Sequence, residues 1–335
     1  MNKKVSICVP IYGVAKYIGR CAQSLFNQTY NNIEFVFVDD CTKDNSIDVL
    51  KQVASQFSDK NLDIKLLRHE MNRGLAAARN TGVANATGDF ILNVDSDDWL
   101  DIKAVETLIE VQRQSNADIV SFNAIAYYPN YREAITHPHY SSPKEMCIKL
   151  LEGGAPQFIW CRMIRRNLYT DNKIHACEGV NMGEDAQVIP LLAYYAKSVA
   201  VCDLLLYHYE CRNTNSYTKS FSEDKYIQRK RTMEIRNNFF KDKGEEYMTA
   251  LQGAESQFVL SLIIETSKLK DLTWCKHFIS EKKKLSFVNL KGVRISKKLI
   301  WYFDSPILVK YWVCIFGGIK HYMQHCLSIF NFRGA

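Results

Sequence analysis

Apolar and polar positions along the first 126 residues follow a strand–helix alternation. Compact apolar runs such as Val5–Pro10 and Ile33–Val38 are typical of buried strands in a parallel sheet. Between the runs, apolar residues recur three and four positions apart, as in Ile18, Cys21 and Leu25, which predicts amphipathic helices. Five strands alternating with four helices predict a Rossmann-like α/β domain with a mostly parallel sheet and flanking helices. The predicted strands are Val5–Pro10, Ile33–Val38, Ile64–Leu67, Phe90–Val94 and Asp118–Asn123.

The pattern changes after residue 126. Tyr127–Pro143 is rich in Tyr, His and Pro, which predicts a loop. Glu184–Ala196 predicts a helix interrupted by Pro190, and Val199–Tyr209 predicts a strand. Residues 223–270 have mainly helical spacing. We therefore expect an α/β domain over 1–220, with halves 1–126 and 127–220, and a mainly helical, basic region over 221–335.

The fourth predicted strand ends in a cluster of acids. Asp95, Asp97 and Asp98 follow Phe90–Val94 directly, and such carboxylates repel one another unless a cation or hydrogen-bond donors lie between them. Hard cations such as Mg²⁺ and Mn²⁺ bind through one or two carboxylates together with substrate phosphates. Carboxyl ends of strands are also where open α/β sheets bind ligands. These residues therefore predict a metal–diphosphate site, the alternative being a polar turn in which Asp98 or Asp101 caps the next helix.

Composition narrows the class of protein. The content of 47% apolar and 24% charged residues is ordinary for a globular chain. The 11 cysteines are scattered, without zinc-type spacing, and Met1–Val9 does not have the pattern of a secretory signal, so we expect reduced thiols in the cytoplasm. No G-x-x-x-x-G-K-[ST] segment is present, which argues against a phosphate-loop ATPase. We expect no nucleic-acid partner.

Seven segments in a fixed order carry a family resemblance. They are Val9–Tyr12, Val38–Ser46, Asn72–Gly74 with Ala78–Asn80, Asp95–Asp97, Trp160–Met163, Gly183–Asp185, and Tyr207–Tyr209 with Arg212 and Ser216. In this order they resemble the motifs of glycosyltransferase family 2, inverting enzymes with a GT-A fold, of the type that builds bacterial polysaccharides. Two positions depart from the family pattern, because Cys41 replaces a usual Gly and Arg162 replaces a usual Lys.

The resemblance implies a binding site for a nucleotide sugar, with a UDP-sugar as the expected donor. Asp40, or less favourably Asp39, would accept the N3–H of a uracil-like base, and Pro10 and Tyr12 would line the base pocket. Arg79 would lie near the base or the carboxylates and orient them. A helix cap at Asp39 to Ser46 and a surface role for Arg79 remain the structural alternatives.

The resemblance also implies the metal and diphosphate contacts, with Mn²⁺ or Mg²⁺ as cofactor. Asp97 would bind the metal directly, and Asp95, with Ser96 in the same motif, would hold the ribose or a metal-bound water. His208 could add a metal contact, although a histidine in a strand is also commonly structural. Arg212 could clamp the diphosphate as a bidentate donor, or could be a solvated surface arginine.

Catalysis by inversion needs a base for the acceptor hydroxyl. By the resemblance this base is Asp185, while Glu184 binds the acceptor and Trp160 stacks on a sugar face. The alternatives are that Glu184 and Asp185 only occupy the first turn of a helix, where acids are favoured, and that Trp160 is a core residue. Half 1–126 would then bind the nucleotide sugar and half 127–220 the acceptor.

The activity implied is transfer of one hexosyl or N-acetylhexosaminyl group to a hydroxyl of a glycan or lipid-linked glycan, in capsule, O-antigen or exopolysaccharide synthesis. Processive synthases of this family carry Gln-x-x-Arg-Trp and several membrane helices; neither pattern is present, which favours single additions. A nucleotidyltransferase that makes the sugar donor is the alternative enzyme, although Pro10–Val14 lacks the Gly-rich loop such enzymes use. A non-catalytic scaffold would be expected to lack some of these carboxylates.

The end of the chain differs in charge. Residues 266–335 contain 13 Lys or Arg and 3 Asp or Glu, a balance of +10, against −3 for residues 1–265. Basic residues beside aromatic ones suit a helix lying on an anionic membrane surface, and we place this possible contact at 282–330. Ile307–Ile319 is too short to span a bilayer. An ordinary packed helix with a solvated basic face is the alternative.

Overall fold

A mixed β-sheet organises the protein. The computed structural model describes residues 2–213, 221–285 and 295–315. Its strands are β1 (Val5–Ile11), β2 (Ile33–Asp39), β3 (Asp63–Arg68), β4 (Phe90–Asn93), β5 (Trp99–Leu100), β6 (Ile119–Tyr127), β7 (Arg132–Ile135), β8 (Arg162–Arg165) and β9 (Val199–Glu210). Within the described ranges the sheet has the order β3-β2-β1-β4-β8-β6-β9-β5, and β7 pairs with β6.

Helices alternate with the strands in the first part of the chain and follow them in the last part. They are α1 (Ile18–Phe26), α2 (Ser46–Ser55), α3 (Leu75–Asn85), α4 (Ala104–Ser115), α5 (Pro143–Leu151), α6 (Arg166–Asp171), α7 (Glu184–Tyr195), α8 (Glu223–Phe240), α9 (Glu245–Thr266), α10 (Thr273–Lys282) and α11 (Ile295–Lys298). Short 3₁₀ turns lie at Ser58–Lys60, Ile159–Cys161 and Leu299–Tyr302. The fold is therefore the predicted α/β class with an additional helical region.

The parallel half of the sheet brings three loop starts to one edge. β1 pairs in parallel with β2, where Ile11 is opposite Asp39, and with β4, where Cys8 is opposite Asn93. Every residue of these three strands is buried, as their continuous apolar pattern predicts. The residues that follow β1, β2 and β4 therefore leave the sheet side by side, at the edge where ligands bind in such folds.

Helix α1 shows why the segments fold as predicted. Its buried positions include Ile18, Cys21 and Leu25, which lie three and four residues apart and face the sheet. Phe26 continues this stripe and packs edge-on against Phe35 of β2, with ring centroids 5.2 Å apart. Burying a phenylalanine side chain contributes about 2–3 kcal/mol, so this stripe fixes the helix to its face of the sheet.

The second half of the sheet departs from the parallel prediction. β8 pairs antiparallel with both β4 and β6, and so separates two strands that an open parallel sheet would join through one crossover. The predicted loop over Tyr127–Pro143 contains β7, so the loop prediction is wrong there. Its four residues alternate between exposed and half-buried positions, a weak apolar signal that explains the error.

Helix α7 also corrects an expectation. It runs without a break from Glu184 to Tyr195 and contains Pro190, where an interruption was predicted. Proline removes one backbone donor and crowds the preceding turn, but burial of the surrounding residues outweighs that cost here. The helix is anchored by apolar side chains, among them Val188, Ile189 and Leu192.

The chain divides into two compact units. The first comprises Met1–Leu150, Ala155–Thr218 and Gln228–Thr232, and contains the sheet. The second comprises Leu151–Gly154, Lys219–Ile227 and Met233–Ala335, and has its own apolar core around Leu260, Ile263 and Phe278. Over the described part of the chain, none of the helices combines the length and the apolar character needed to cross a bilayer.

Candidate active site

A single arginine joins acids from distant parts of the chain. Arg79 of α3 donates from Nη2 to Asp95 Oδ1 at 2.6 Å and from Nη1 to Glu184 Oε1 at 2.7 Å. The same Nη1 contacts Asp185 Oδ1. Asp95 follows β4, whereas Glu184 and Asp185 begin α7, about 90 positions later. The arginine side chain is only 7% exposed, so these ion pairs are poorly screened by water.

Burial and the nearby charges determine the direction of the pKa shifts of the two acids of α7. Burial raises the pKa of Glu184 and of Asp185, and the charge of Asp185 raises that of Glu184 further. The guanidinium of Arg79 acts in the opposite direction on both. The Ile159 N–H also donates to Asp185 Oδ2 at 3.1 Å, which lowers the pKa of Asp185. Asp185 is thus a buried carboxylate held near one cation and one amide.

The loop before α3 places Arg79. Gly74 has φ +86, in the left-handed region, and a Cβ at this position would lie 2.3 Å from Asn181 Nδ2. Only glycine fits this close approach. Asp40 accepts hydrogen bonds from the Arg73 and Gly74 amides, both at 2.8 Å, and so fixes the loop to the end of β2.

The two acids after β2 therefore differ in their surroundings. Asp40 Oδ1 is also 2.6 Å from His69 Nδ1, so its carboxylate is occupied by three groups of the chain. Asp39 accepts from the Thr42 N–H at 2.7 Å and faces Arg68 at 3.4 Å. Both acids are 3% exposed. This geometry gives Asp40 a clear part in holding the loop, and leaves recognition of a base by Asp39 or Asp40 as a prediction.

Pro10 and Tyr12 lie at the end of β1 beside these acids. Pro10 is buried within the strand, opposite Val38 of β2. Tyr12 follows the strand and its side chain is 50% exposed, which leaves a ring face open at the sheet edge. Cys41, where the family pattern has Gly, adopts φ +56, so the backbone here has the conformation that favours glycine.

The acidic loop after β4 is held from β9. The Tyr207 hydroxyl accepts the Asp95 N–H at 3.0 Å and donates to Asp98 Oδ2 at 2.7 Å. Asp98 is fully buried and also accepts the Glu210 N–H at 2.7 Å. The alternative in which Asp98 caps the next helix is thus wrong, because its carboxylate is used in this link to β9.

Asp97 and Asp95 have the donor chemistry of a divalent-cation site. Asp97 Oδ2 accepts from Asn213 at 2.9 Å, and Ser96 between the two acids is 5% exposed. Burial raises the pKa of Asp97, and the nearby charge of Asp95 raises it further, a repulsion that a cation would relieve. Among the residues that the structure describes, no set of three or more His, Cys, Asp and Glu side chains is arranged to hold a metal. Two carboxylates with substrate phosphates remain sufficient for Mg²⁺ or Mn²⁺.

His208 and Arg212 lie in an aromatic–arginine cluster. The His208 ring stacks on Trp99 with centroids 5.0 Å apart, and its Nδ1 is 2.9 Å from the Tyr127 hydroxyl. The Arg212 side chain makes two hydrogen bonds to Glu210, at 2.7 and 2.5 Å. These contacts give both side chains partners within the protein, so their metal and diphosphate roles stay predictions. Ser216 lies outside the described residues.

Trp160 is part of the core. It is 2% exposed and stacks between Phe158 and Tyr207, with ring centroids 4.8 and 4.3 Å away. Contact with a sugar would require these rings to move apart. The structure therefore gives Trp160 the packing role that was the alternative to acceptor binding.

Sequence reasoning missed the link between Tyr207 and Asp98, and it missed His69. The tyrosine and Asp98 come from segments that were recognised, but a link across 109 positions has no local signal. His69 follows β3, and its Nε2 is 2.9 Å from Thr81 Oγ1 while Nδ1 meets Asp40. A histidine two positions after the predicted strand Ile64–Leu67 was the signal that could have identified it.

Comparison with known proteins assigns the chain to a family. Residues 6–183 match the sequence model of glycosyl transferase family 2. EpsH of Bacillus subtilis strain 168 is 32% identical over 212 residues, which cover 61% of the present chain. The chain spans 60% of the length of EpsH.

Solved structures share the fold. TarS of S. aureus, residues 1–349 in complex with UDP-GlcNAc, superposes with a TM-score of 0.66 at 20% identity, covering 98% of this chain and 91% of that one. The mannosyltransferase PcManGT of Pyrobaculum calidifontis, in complex with GDP-Man and Mn²⁺, has a TM-score of 0.54 at 14% identity and covers 93% and 86%. The predicted GT-A fold is confirmed.

Proposed function

The chain belongs to glycosyl transferase family 2, and from that we propose an inverting, metal-dependent transfer of one sugar from a nucleotide sugar to a hydroxyl of a glycan or lipid-linked glycan. One observation carries this proposal. Arg79 forms ion pairs with Asp95, which follows β4, and with Glu184 and Asp185 of α7. These ion pairs bring the candidate base close to an acid of the donor side, and an in-line displacement needs its base near the reacting donor.

The donor would bind over the ends of β1 and β2, in the half formed by residues 1–126. Tyr12 offers an exposed ring for the base, and Asp39 or Asp40 an acceptor for its N3–H. A UDP-sugar is the favoured donor, because TarS was solved with UDP-GlcNAc and shares the fold. Arg212 would contact the diphosphate, and to do so it would have to give up its hydrogen bonds to Glu210.

Asp185 would act as the general base. The acceptor oxygen attacks the anomeric carbon in line as the bond to the diphosphate breaks, and its proton passes to the Asp185 carboxylate. Because the pKa of Asp185 is raised, its carboxylate binds a proton more strongly than a free aspartate does, which makes it a better general base. Glu184 would hold the acceptor, which enters from the half formed by residues 127–220.

Asp97 and Asp95 would hold Mn²⁺ or Mg²⁺. When bound, the ion supplies Lewis-acid stabilisation of the departing diphosphate. The chain's own part is to keep these two acids in place, through Tyr207 and Asn213. His208 would join the set only by leaving its contact with Tyr127.

We place the enzyme on the cytoplasmic face of an anionic membrane through part of the 282–330 segment, where residues 286–294 and 316–335 lie outside the described residues. Helical residues 306–315 expose an apolar stripe at the spacing of one helix face, formed by Ile307, Leu308, Tyr311 and Ile315. Each of these side chains is more than half exposed. Lys297 and Lys298 of α11 add positive charge nearby in the chain. Apolar residues beside lysines suit anionic lipid.

The test is a panel of UDP- and GDP-sugars with Mn²⁺, scored by release of nucleoside diphosphate and by a rise in melting temperature. Asp185→Asn should abolish transfer while retaining nucleotide binding, and Asp97→Ala should lose both. Asp59→Asn and Asp59→Ala, at an exposed acid of the same domain, serve as matched controls. Full turnover in Asp185→Asn rejects it as the base, and release of pyrophosphate would indicate a nucleotidyltransferase instead.

A further inference from the structure

A cavity of about 220 Å³ lies along α3, on the side of the acids that faces α6. Its inner lining includes Asn93 at the end of β4 and both acids of α7. Its outer lining includes Lys173 and His175, which are exposed to solvent. The lining thus runs from the buried candidate base to the protein surface.

Buried polar atoms in this lining have no hydrogen-bond partner among the described residues. They are both side-chain atoms of Asn93, the Tyr169 hydroxyl and Nε of Arg79. These residues are 1%, 4% and 7% exposed. Burial raises the pKa of Tyr169, and the nearby Asn93 amide opposes this, yet the two groups do not reach hydrogen-bond geometry.

Leaving such groups unpaired costs about 1–3 kcal/mol each, so four unpaired atoms around one cavity indicate an occupant that hydrogen-bonds. Water meets the requirement. At about 30 Å³ per molecule the cavity has room for several waters, and waters in proteins occupy sites where two to four polar partners converge. A purely apolar occupant would leave the amide and hydroxyl unsatisfied.

The position of the cavity relates it to the reaction. The Asp185 side chain is 15% exposed and the Glu184 side chain 9%, so bulk solvent has little direct access to either acid. After each transfer the base carries the proton of the acceptor and must lose it before the next cycle. The cavity lining contains none of Asp39, Asp40 and Asp97, the acids expected to contact the nucleotide and its metal. It therefore offers Asp185 a route to the surface that does not use those residues.

We propose that this cavity is a water-filled passage through which the proton leaves Asp185 for bulk solvent. The inference rests on the proposed function. The acceptor O–H bond breaks as its oxygen bonds to the anomeric carbon, the diphosphate departs with its electron pair, and the proton goes to Asp185. The proton then passes to cavity water held by Asn93 and Tyr169, and emerges beside His175, which restores the carboxylate.

The first test is independent of activity. Crystals of the protein are pressurised with xenon, which enters dry apolar cavities and leaves hydrated polar ones unchanged. We expect ordered waters within hydrogen-bond distance of the Asn93 amide and the Tyr169 hydroxyl, and no xenon there. Xenon in the cavity without ordered water would overturn the passage.

The second test blocks the passage. Ala84 of α3 lines the outer cavity and is exposed, so Ala84→Phe fills it with little risk to folding. Asn85→Phe, one position along and outside the lining, is the matched control. We expect Ala84→Phe and Tyr169→Phe to lower kcat several-fold and to increase the solvent deuterium isotope effect on kcat, with an unchanged KM for the donor.

Identical kcat and isotope effect in Ala84→Phe, Tyr169→Phe and Asn85→Phe would refute the passage while leaving the transferase intact. Absence of transfer from every nucleotide sugar in the wild type would instead refute the proposed function. The proposed proton passage would then be refuted as well, and the xenon experiment would still determine whether the cavity is hydrated.

Discussion

The Tyr207 hydroxyl donates a hydrogen bond to the buried carboxylate of Asp98 at 2.7 Å. The same oxygen accepts the Asp95 N–H, so one phenol ties two positions of the acidic loop to β9. Leaving a buried polar group without its partner costs about 1–3 kcal/mol, and loss of this hydroxyl would leave Asp98 short of a donor in the core. The shape of the loop therefore depends on a residue that touches no expected substrate atom.

We predict that Tyr207→Phe destabilises the protein by about 2 kcal/mol and lowers kcat/KM for the nucleotide sugar about tenfold. The ring still packs on Trp160, so the loss comes from the hydroxyl. Urea unfolding and initial-rate kinetics measure the two effects. Tyr209→Phe, two positions along the same strand, should leave both values near wild type. Equal effects of the two substitutions would show that the hydroxyl link is unimportant.

Arg79 cannot be replaced by lysine without loss. An ammonium keeps the charge but cannot reach Asp95 and both acids of α7 from one planar group. Removing one partner of a buried ion pair costs about 3–5 kcal/mol, and we expect Arg79→Lys to lower kcat/KM by about 100-fold or more.

The control for this prediction is Arg73→Lys. Arg73 makes two 2.8 Å contacts to Glu178, but both side chains are close to half exposed. Exposed pairs contribute little, so steady-state rates and melting temperature should barely change. A wild-type rate in Arg79→Lys would mean that the acids do not need a shared cation.

Strands β1, β2 and β4 could be predicted from the sequence because they are buried on both faces. Val5–Ile11 and Ile33–Asp39 read as continuous apolar runs, and the acids that end them sit at the sheet edge by topology alone. The order of the motifs then indicated that Asp95 and Asp185 belong to one site.

The remainder depends on contacts that no local pattern encodes. β8 is four residues long and begins and ends with arginine, so its place between β4 and β6 has no apolar signature. From the sequence alone, Trp160 fits either stacking on a sugar or packing in the core, and only its neighbours in the fold decide between the two. The lesson is that periodicity predicts which strands form, whereas pairing across the chain decides what the polar residues do.

Glu34 should make stability depend on acid pH. It is fully buried in β2, accepts from Gly88 at 3.2 Å and pairs with Lys65 at 2.9 Å. Burial opposes its ionisation, but hydrogen bonds from the Ser6 hydroxyl, the Thr87 amide and hydroxyl, and Lys65 lower its pKa to about 2. The folded pKa lies below the unfolded value of about 4.3, so the carboxylate stabilises the fold above that pH by about 3 kcal/mol, and the contribution is lost as pH falls toward 2.

Glu34→Gln should therefore reduce the unfolding free energy most above pH 5, and the difference from wild type should shrink between pH 4 and 2. Chemical denaturation at a series of pH values measures it. Glu70→Gln, at an exposed glutamate, is the control and should show a small difference with no such trend. A difference for Glu34→Gln that stays constant with pH would contradict a depressed pKa.

Cys41 holds a left-handed conformation at φ +56. This costs a residue with a side chain about 1–2 kcal/mol, part of which glycine would recover despite its greater freedom when unfolded. We expect Cys41→Gly to stabilise the protein by up to about 1 kcal/mol and Cys41→Val, which is β-branched, to destabilise it. Melting temperatures of the two variants decide this; a more stable valine variant would show that the backbone turn is not strained.

The apolar stripe of residues 306–315 should direct binding to anionic lipid. Its exposed Ile307, Leu308, Tyr311 and Ile315 would enter the interfacial region while lysines contact the headgroups. The protein should therefore sediment with phosphatidylglycerol vesicles, less with phosphatidylcholine vesicles, and less as salt increases. Ile307→Glu combined with Tyr311→Glu should reduce the bound fraction, because charged carboxylates would have to enter the lipid interface. Ile227→Glu, at another exposed isoleucine on α8, is the control. Equal sedimentation of all three proteins would reject this stripe as the membrane contact and leave the transferase proposal unchanged.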